Sequence, residues 1–132
     1  MKCLIVEDVD FVTEMMTSHL ADIAVADTAT DGIEALDLFS RAITVREPYD
    51  FVCLDIHLPM MDGQRTLKEM RRMEAAADPP VRKAVVFMTT ALSETTQMLE
   101  ALLDGDSTDY LIKPVSREDL VTALKRSGLI SV

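Results

Sequence analysis

The sequence predicts a doubly wound α/β fold with a five-stranded parallel sheet. Five short apolar runs alternate along the 132 residues with five stretches in which apolar side chains recur every three to four positions. Such runs are typical of strands covered on both faces, and the three-to-four spacing is typical of amphipathic helices. Their alternation favours parallel strands joined by right-handed helical crossovers, with helices on both faces. The pattern does not fix the order of the strands.

The predicted elements follow one another along the whole chain. The strands are expected at residues 2–6, 23–26, 51–54, 84–88 and 110–112. The first helix is expected at residues 10–20. The next three are marked by the apolar sets Ile33, Leu36, Phe39 and Ile43; Leu67, Met70 and Met73; and Met98, Leu99, Leu102 and Leu103. Ser116 and Asp119 form a capping box that opens the fifth helix. Residues 75–83 contain two prolines and are expected to form a linker.

Composition excludes several classes of function. The formal net charge is −10, so the basic surface of a nucleic-acid-binding protein is absent and no direct nucleic-acid binding is expected. No apolar run reaches the roughly 18 residues of a membrane span. No signal peptide opens the chain, so we expect no membrane insertion and a cytoplasmic location. Both cysteines lie in strand-like runs and are expected to be reduced core thiols. We expect one domain over residues 1–132, with no effector domain.

Chemically active side chains stand where the predicted strands end. They are Glu7, Asp8, Asp27, Asp55, Thr89, Thr90 and Lys113. The carboxyl ends of parallel strands meet at one edge of the sheet, where ligands bind. Carboxylates crowded there repel one another, and a divalent cation with Lys113 beside it would compensate. A single acid at a strand end is usually a solvated residue or a helix cap, as expected for Asp10 and Asp31. The prediction of a cation site therefore depends on the occurrence of these groups together at several strand ends.

This combination of groups suits phosphoryl transfer. A cation and an ammonium neutralise charge on phosphoryl oxygens, and a hydroxyl can hydrogen-bond one of them. An aspartate carboxylate can itself be the nucleophile and form an acyl phosphate. His57 lies close enough to Asp55 to be considered as a base, but no Ser or Cys spacing supports a catalytic triad.

The motifs around these residues resemble one known family. They are Leu4-Ile5-Val6-Glu7-Asp8, the run Leu-Asp-Ile-His-Leu-Pro-Met-Met-Asp-Gly over residues 54–63, Thr90-Ala91, and Asp109-Tyr110-Leu111-Ile112-Lys113-Pro114. Over roughly residues 1–128 the chain resembles the receiver domain of two-component response regulators, in particular the stand-alone, chemotaxis-regulator-like receivers. The resemblance implies a flavodoxin-like sheet of order 2-1-3-4-5, whose acidic edge lies between the first and third strands. It also implies a phosphoacceptor rather than a turnover enzyme.

The resemblance implies a role for each matching residue. Asp55 matches the residue that accepts the phosphoryl group. Glu7, Asp8, Asp55 and the backbone carbonyl of His57 match the ligand set of Mg²⁺ or Mn²⁺, with Asp8 a direct ligand. Thr90 matches the switch hydroxyl, Lys113 the lysine that pairs with the phosphoryl group, and Tyr110 the aromatic switch residue. The Lys113-Pro114 bond resembles the family's cis peptide, and no nucleotide-binding residue is implied.

The implied partners are proteins. A histidine kinase or a histidine phosphotransfer protein would supply the phosphoryl group to a monomer or weak dimer. The surface formed by the predicted fourth helix, fifth strand and fifth helix would then control a downstream target protein. One departure from the family concerns this region, an additional residue between Gly105 and Tyr110. A second is the long, proline-rich linker over residues 75–83, and the bulky Leu92 occupies a variable position beside the active site.

Two other functions remain open on this fold. A pseudo-receiver would bind partners without phosphorylation, although the complete acid set argues against it. A flavin-binding protein or an aspartate-nucleophile phosphatase is the third alternative. Acids rather than a Gly- or Thr-rich phosphate loop follow the first strand, and position 57 is not a second acid after Asp55.

Overall fold

The computed structural model describes residues 1–91 and 109–131 and contains one five-stranded sheet. Its strands are β1 (Lys2–Val6), β2 (Val25–Ala29), β3 (Phe51–Asp55), β4 (Val85–Ala91) and β5 (Asp109–Lys113). They lie in the order β2-β1-β3-β4-β5, and every neighbouring pair is parallel. The predicted fold class is therefore confirmed, together with the strand order that the resemblance implied.

The helices of the described residues cover both faces of this sheet. They are α1 (Asp10–Leu20), α2 (Gly32–Thr44), α3 (Gly63–Ala76) and α4 (Arg117–Arg126). Helix α4 is the fifth helix of the sequence prediction. The predicted helix marked by Met98, Leu99, Leu102 and Leu103 lies outside the described residues, as do Leu92 and residues 105–108. None of the described helices is long and apolar enough to span a membrane.

Side-chain caps explain where three helices begin. Asp31 before α2 and Asp62 before α3 each accept the backbone N–H three residues further on, at 2.8 Å. Ser116 accepts the N–H of Asp119 at 3.0 Å, and Asp119 accepts the N–H of Ser116 at 3.1 Å. These bonds satisfy N–H groups that have no partner within the helix. The predicted capping box and the predicted role of Asp31 are confirmed.

The core consists of two layers, one on each face of the sheet. The layer beneath α1 and α4 contains Cys3, Ile5, Met16, Leu20, Phe51, Cys53, Phe87, Leu111, Val115, Leu120, Ala123 and Leu124. The layer beneath α2 and α3 includes Leu4, Val6, Phe39, Ile43, Val52, Leu54, Leu67, Met70, Val86 and Met88. All five residues of β3 are buried, so the continuous apolar run correctly predicted a strand covered on both faces. Both cysteines are free and buried.

The second strand begins later in the chain than predicted. The apolar run at residues 23–26 favoured a strand there, but β2 spans Val25–Ala29. The N–H groups of Ile23 and Ala24 both donate to the carbonyl of Leu20 at 2.9 Å, so these two residues still belong to the turn that ends α1. Because β2 is an edge strand whose residues are mostly exposed, it carries no apolar run that could have marked it.

Strand β4 and helix α3 extend further along the chain than predicted. Strand β4 continues through Thr89 and Thr90 to Ala91, and α3 continues to Ala76, inside the predicted linker. In the last turn of α3, Glu74 is 3 % exposed and accepts the N–H of Ala84 at 2.6 Å. The buried carboxylate of Glu74 thus provides the hydrogen-bond acceptor for the backbone N–H of the residue that precedes β4.

Some side chains lie on the opposite side of their helix from the one predicted. Ile33 was expected on the buried stripe of α2 but is 53 % exposed. Arg71 was expected on the solvated side of α3, yet its side chain is 12 % exposed and its guanidinium lies 2.7 Å from the carboxylate of Glu74.

Candidate functional site

The carboxyl ends of β1 and β3 bring three carboxylates together. Glu7 and Asp8 follow β1, and Asp55 is the last residue of β3. One oxygen from each of the three lies within 4.8 Å of the others. Glu7 is 2 % and Asp55 4 % exposed, whereas Asp8 is open to solvent. The cluster therefore has two buried acids and one acid at its mouth.

Lys113, the last residue of β5, is the cation that compensates this cluster. Its ammonium donates to Oε1 of Glu7 and to Oδ2 of Asp55, the latter at 3.0 Å. Burial alone would lower the pKa of an ammonium, but the hydrogen bonds to Glu7 and Asp55 outweigh it and raise the pKa of Lys113. The Lys113-Pro114 bond is cis, as the resemblance implied.

The loop after β3 fixes the carboxylate of Asp55. The N–H of His57 donates to Oδ1 of Asp55 at 3.0 Å, so each carboxylate oxygen has a donor. The N–H of Ile56 donates to the carbonyl of Thr89 at 3.1 Å, which extends the pairing of β3 with β4. The N–H of Gly63 donates back to the carbonyl of Ile56 at 2.9 Å. The nucleophile candidate is thus held by backbone groups on one side and by Lys113 on the other.

Asp8 differs electrostatically from its neighbours. Although the residue is exposed, partial desolvation and a hydrogen bond shared with Glu7 raise the pKa of Asp8. The Coulombic effect of Lys113 acts in the opposite direction but is smaller. After desolvation, the hydrogen bond and the charge of Glu7 add to the rise in the pKa of Asp8, and a bound cation would relieve this repulsion between carboxylates.

The remaining predicted residues lie on β4 and β5. Thr90 is 1 % exposed, and its hydroxyl is 3.4 Å from the carbonyl oxygen of Ala91. Thr89 pairs with Asp55 across the sheet. Tyr110 pairs with Met88 and packs, partly buried, against the core layer beneath α2 and α3.

Asp27 lies outside the acid cluster, contrary to the prediction. It lies in the middle of β2 rather than after it, paired with Leu4. Its Oδ2 accepts a hydrogen bond from the hydroxyl of Tyr49 at 2.7 Å, and the metal-ligand cluster consists of Glu7, Asp8 and Asp55 without it. The error follows directly from the displaced start of β2.

Two features of the loop after Asp55 were not predicted. Met60 has a φ of +70°, and the N–H of Met61 donates to the carbonyl of Pro59 at 2.7 Å, so these residues form a γ-turn. Nothing in Pro59-Met60-Met61 indicates a positive φ, which is typical of Gly and Asn. A Cβ at Gly63 would lie 2.3 Å from the carbonyl oxygen of Asp55. This close approach is visible only in three dimensions.

Comparisons with known proteins agree with this geometry. The model of the response regulator receiver domain family matches residues 3–125. The chain is 33 % identical over 135 aligned positions to the regulatory protein VanRB of Enterococcus faecalis, covering 98 % of this chain and 55 % of that protein. It is also 33 % identical to the transcriptional regulator ycf27 of Guillardia theta, covering 94 % of this chain and 44 % of that protein. The chain thus spans about half the length of these curated relatives.

Solved structures have the same fold. The CheX-CheY-BeF3-Mg²⁺ complex from Borrelia burgdorferi matches with a TM-score of 0.79 and 25 % identity, covering 98 % of this chain and 90 % of that one. The receiver domain of the sensor histidine kinase PA1611 from Pseudomonas aeruginosa, with a magnesium ion in its active site cleft, matches with a TM-score of 0.76 and 25 % identity. That match covers 95 % of this chain and 94 % of the other. The family match over most of the chain, the strand order and the acidic edge lead to one conclusion: the chain belongs to the response regulator receiver domain family of two-component systems.

Proposed function

We propose that this receiver domain accepts a phosphoryl group on Asp55 from a histidine kinase or a histidine phosphotransfer protein, in a reaction that depends on Mg²⁺ or Mn²⁺. The observation that carries the proposal is the position of Asp55. It lies at the end of β3 with each oxygen held by a donor, His57 N–H or Lys113 Nζ, beside two further acids.

The acid cluster fits a hard divalent cation. Glu7, Asp8 and Asp55 offer oxygen atoms within 4.8 Å of one another, and oxygen is the ligand that Mg²⁺ prefers. Asp8 would bind the cation directly, Glu7 would support it, and the backbone carbonyl of His57 would be a further ligand. A bound Mg²⁺ would supply positive charge against the phosphoryl oxygens. The PA1611 receiver domain, which holds magnesium in its cleft, supports this assignment.

The chain's own groups account for the transfer. A carboxylate oxygen of Asp55 attacks phosphorus while the P–N bond to the donor's imidazole breaks, and the electron pair of that bond returns to the ring nitrogen. The product is an acyl phosphate on Asp55. The ammonium of Lys113, already 3.0 Å from Oδ2 of Asp55, stays beside the transferred group and offsets its charge. The chain itself is modified and is not a turnover enzyme.

Phosphorylation would then shift the population of two arrangements of the domain. Thr90 and Tyr110 are the groups proposed to move, with the hydroxyl of Thr90 turning toward the phosphoryl oxygens. The surface formed by the predicted fourth helix, β5 and α4 would bind the target protein differently in the two states. The new charge must stabilise one arrangement more than the other for such a switch to work.

A mass measurement tests the proposal. Wild type is incubated with phosphoramidate and Mg²⁺, and we expect a gain of one phosphoryl group that EDTA prevents. Asp55→Asn should gain nothing. Asp27→Asn is the matched control, because Asp27 is an acid of the neighbouring strand β2 that lies outside the cluster. Equal loading of Asp55→Asn and wild type, or loading that EDTA leaves unchanged, would reject the assignment.

A further inference from the structure

The Lys and Arg residues of this acidic chain are concentrated in α3 and the segment after it. Residues 64–83 contain six of the 13 Lys and Arg residues, whereas residues 1–40 contain one of them and nine of the 23 Asp and Glu residues. Arg65, Lys68 and Arg72 are exposed and lie at helical spacing on the side of α3 opposite its buried residues. A positive stripe therefore runs along the solvated side of α3.

Two of these three cations have no ion-pair partner in the part of the chain that the structure describes. Arg72 forms an ion pair with the carboxylate of Glu69 in the same helix. No carboxylate of residues 1–91 or 109–131 pairs with the side chains of Arg65 and Lys68. These two cations can therefore bind carboxylates of another molecule without first breaking an internal ion pair.

The neighbouring helix α2 carries the opposite charge in its first two turns. Glu34 and Asp37 are both exposed. The carboxylate of Glu34 accepts only a hydroxyl group, that of Thr30, at 3.1 Å, in addition to a long contact with a backbone N–H. Asp37 pairs with Arg41 at 3.0 Å, but both side chains are more than half exposed, so this pair is weak and can exchange partners. Ile33, 53 % exposed, lies one helical turn before Asp37 and adds an apolar group to the same side of α2.

Helices α2 and α3 lie side by side over the same core layer. A Cβ at Gly32 would lie 2.4 Å from the hydroxyl oxygen of Thr66, so the first turns of the two helices approach closely. Both helices begin at the carboxyl edge of the parallel sheet and run in the same direction. Their oppositely charged residues thus lie at the same level of one surface. We call this surface the charged face; it consists of Glu34, Asp37, Arg65 and Lys68.

The charged face is complementary to itself. A two-fold axis parallel to the helices would place α2 of one copy against α3 of a second copy, and α3 of the first against α2 of the second. Acidic and basic residues would then meet in both contacts. The net charge of −10 opposes the association of copies in other orientations, so the charge pattern would also select this one.

We propose that the charged face is a contact between two copies of this chain, in which Arg65 and Lys68 of each copy bind Glu34 and Asp37 of the other. The dimer is weak and sensitive to salt, because exposed ion pairs contribute little. The inference does not depend on the identity of the phosphoacceptor.

Sedimentation equilibrium of the whole chain measures this association. Wild type should dimerise at about 20 mM salt and dissociate at about 500 mM, where surface charges are screened. Lys68→Glu should raise the dissociation constant of the dimer roughly tenfold, because it replaces attraction by repulsion in both contacts. Lys125→Glu is the matched control and should behave as wild type, since Lys125 is exposed on α4, which covers the other face of the sheet.

A charge exchange between two double variants tests the pairing itself. Arg65→Glu/Lys68→Glu and Glu34→Lys/Asp37→Lys should each be monomeric, because α2 and α3 then carry charges of the same sign. An equimolar mixture of the two should dimerise, since opposite charges meet again in both contacts. Each pair of reversals changes the net charge of −10 by four units, so both variants stay negative and non-specific attraction cannot cause this dimer.

Three results would overturn the proposal. The first is a wild type that stays monomeric at low salt, including one that binds poly-L-glutamate through Arg65 and Lys68, which would assign the stripe to an acidic partner protein. The second is a wild-type dimer that Lys68→Glu leaves unchanged. The third is a mixture of the two double variants that stays monomeric while thermal melts show that both are folded.

Discussion

At the scale of single residues, the site depends on the close approach of α3 to the end of β3. The N–H of Gly63 bonds to Ile56, and a Cβ at position 63 would lie 2.3 Å from the carbonyl oxygen of Asp55 and 2.9 Å from the Cα of Ile56. Both are backbone atoms, which cannot yield as the end of a flexible side chain can. The position of Asp55 therefore depends on the absence of a side chain eight positions later in the sequence.

Gly63→Ala should consequently damage both the fold and the chemistry. We expect a loss of about 1–3 kcal/mol in the free energy of unfolding, because overpacking forces the backbone to shift. Loading of Asp55 by phosphoramidate should slow as well, since the displaced carbonyl belongs to the proposed acceptor residue. Urea denaturation and intact mass measure the two effects. Gln64→Ala, an exposed neighbour in the same helix, is the control, and a Gly63→Ala variant as stable and reactive as this control would contradict the account.

At the scale of elements, an exposed ion pair joins the end of α1 to the beginning of α4. Arg117 donates to both oxygens of Asp22, at 2.7 and 3.1 Å, and also to the carbonyl of His19 at 2.7 Å. The hydrogen bond from Arg117 lowers the pKa of Asp22. A carboxyl group whose pKa is lowered on folding stabilises the fold at pH values above its unfolded pKa, and this contribution is lost as the pH falls through the folded pKa.

A pH series of urea denaturations checks this contribution. Wild type should be slightly more stable than Asp22→Asn at neutral pH, and the difference should vanish as the pH falls below about 4, the ordinary range of an aspartate. The effect is small because Asp22 is exposed. In an Arg117→Gln background, Asp22→Asn should no longer change the pH dependence. Parallel curves for wild type and Asp22→Asn across the acidic range would show that the pair contributes nothing.

The strands and helices also show which structural features could be predicted from the sequence alone. Strands β1 and β3 were predicted well because burial on both faces demands a continuous apolar run. The edge strand β2 has little buried surface, so its pattern was confused with the turn before it, and Asp27 was wrongly placed in the site. Glu74 lies at the apolar spacing of α3, four residues after Met70, but its partner, the N–H of Ala84, is known only from the fold.

The meeting of three acids and a lysine at one edge of the sheet could be predicted from the sequence. Glu7, Asp8, Asp55 and Lys113 were expected to meet because parallel strands place their carboxyl ends at one edge, and the described geometry brings them together. The γ-turn at Met60 and the contact at Gly63 were not predicted. Both depend on backbone conformation or packing between distant segments, which residue types alone do not encode.

At the scale of the whole molecule, the core layer beneath α1 and α4 isolates both cysteines from solvent. Cys3 is 0 % and Cys53 1 % exposed, in neighbouring strands of the same layer. Burial raises the pKa of the Cys3 thiol to about 12, and burial also raises the pKa of Cys53. Since the thiolate is the reactive form, both groups should be inert in the folded domain.

Thiol titration therefore reports on the integrity of the core. At pH 8 we expect neither cysteine of the native protein to react with a disulfide reagent within minutes, and both to react in concentrated urea. Val45→Cys is the control, because residue 45 is 62 % exposed and a thiol there should react at once. Rapid reaction of both native cysteines would mean that the sheet is not covered on the α1 and α4 face.

The central claim, that Asp55 is the acceptor, is tested most directly by locating the phosphoryl group. Wild type is loaded with phosphoramidate and Mg²⁺ and then reduced with borohydride, which converts an acyl phosphate on aspartate into homoserine. Peptide mass spectrometry identifies the reduced residue. The account predicts homoserine at position 55, absent when Mg²⁺ is removed by EDTA. Homoserine at Asp8 or another acid, or none at position 55 in a protein that has gained phosphoryl mass, would contradict it.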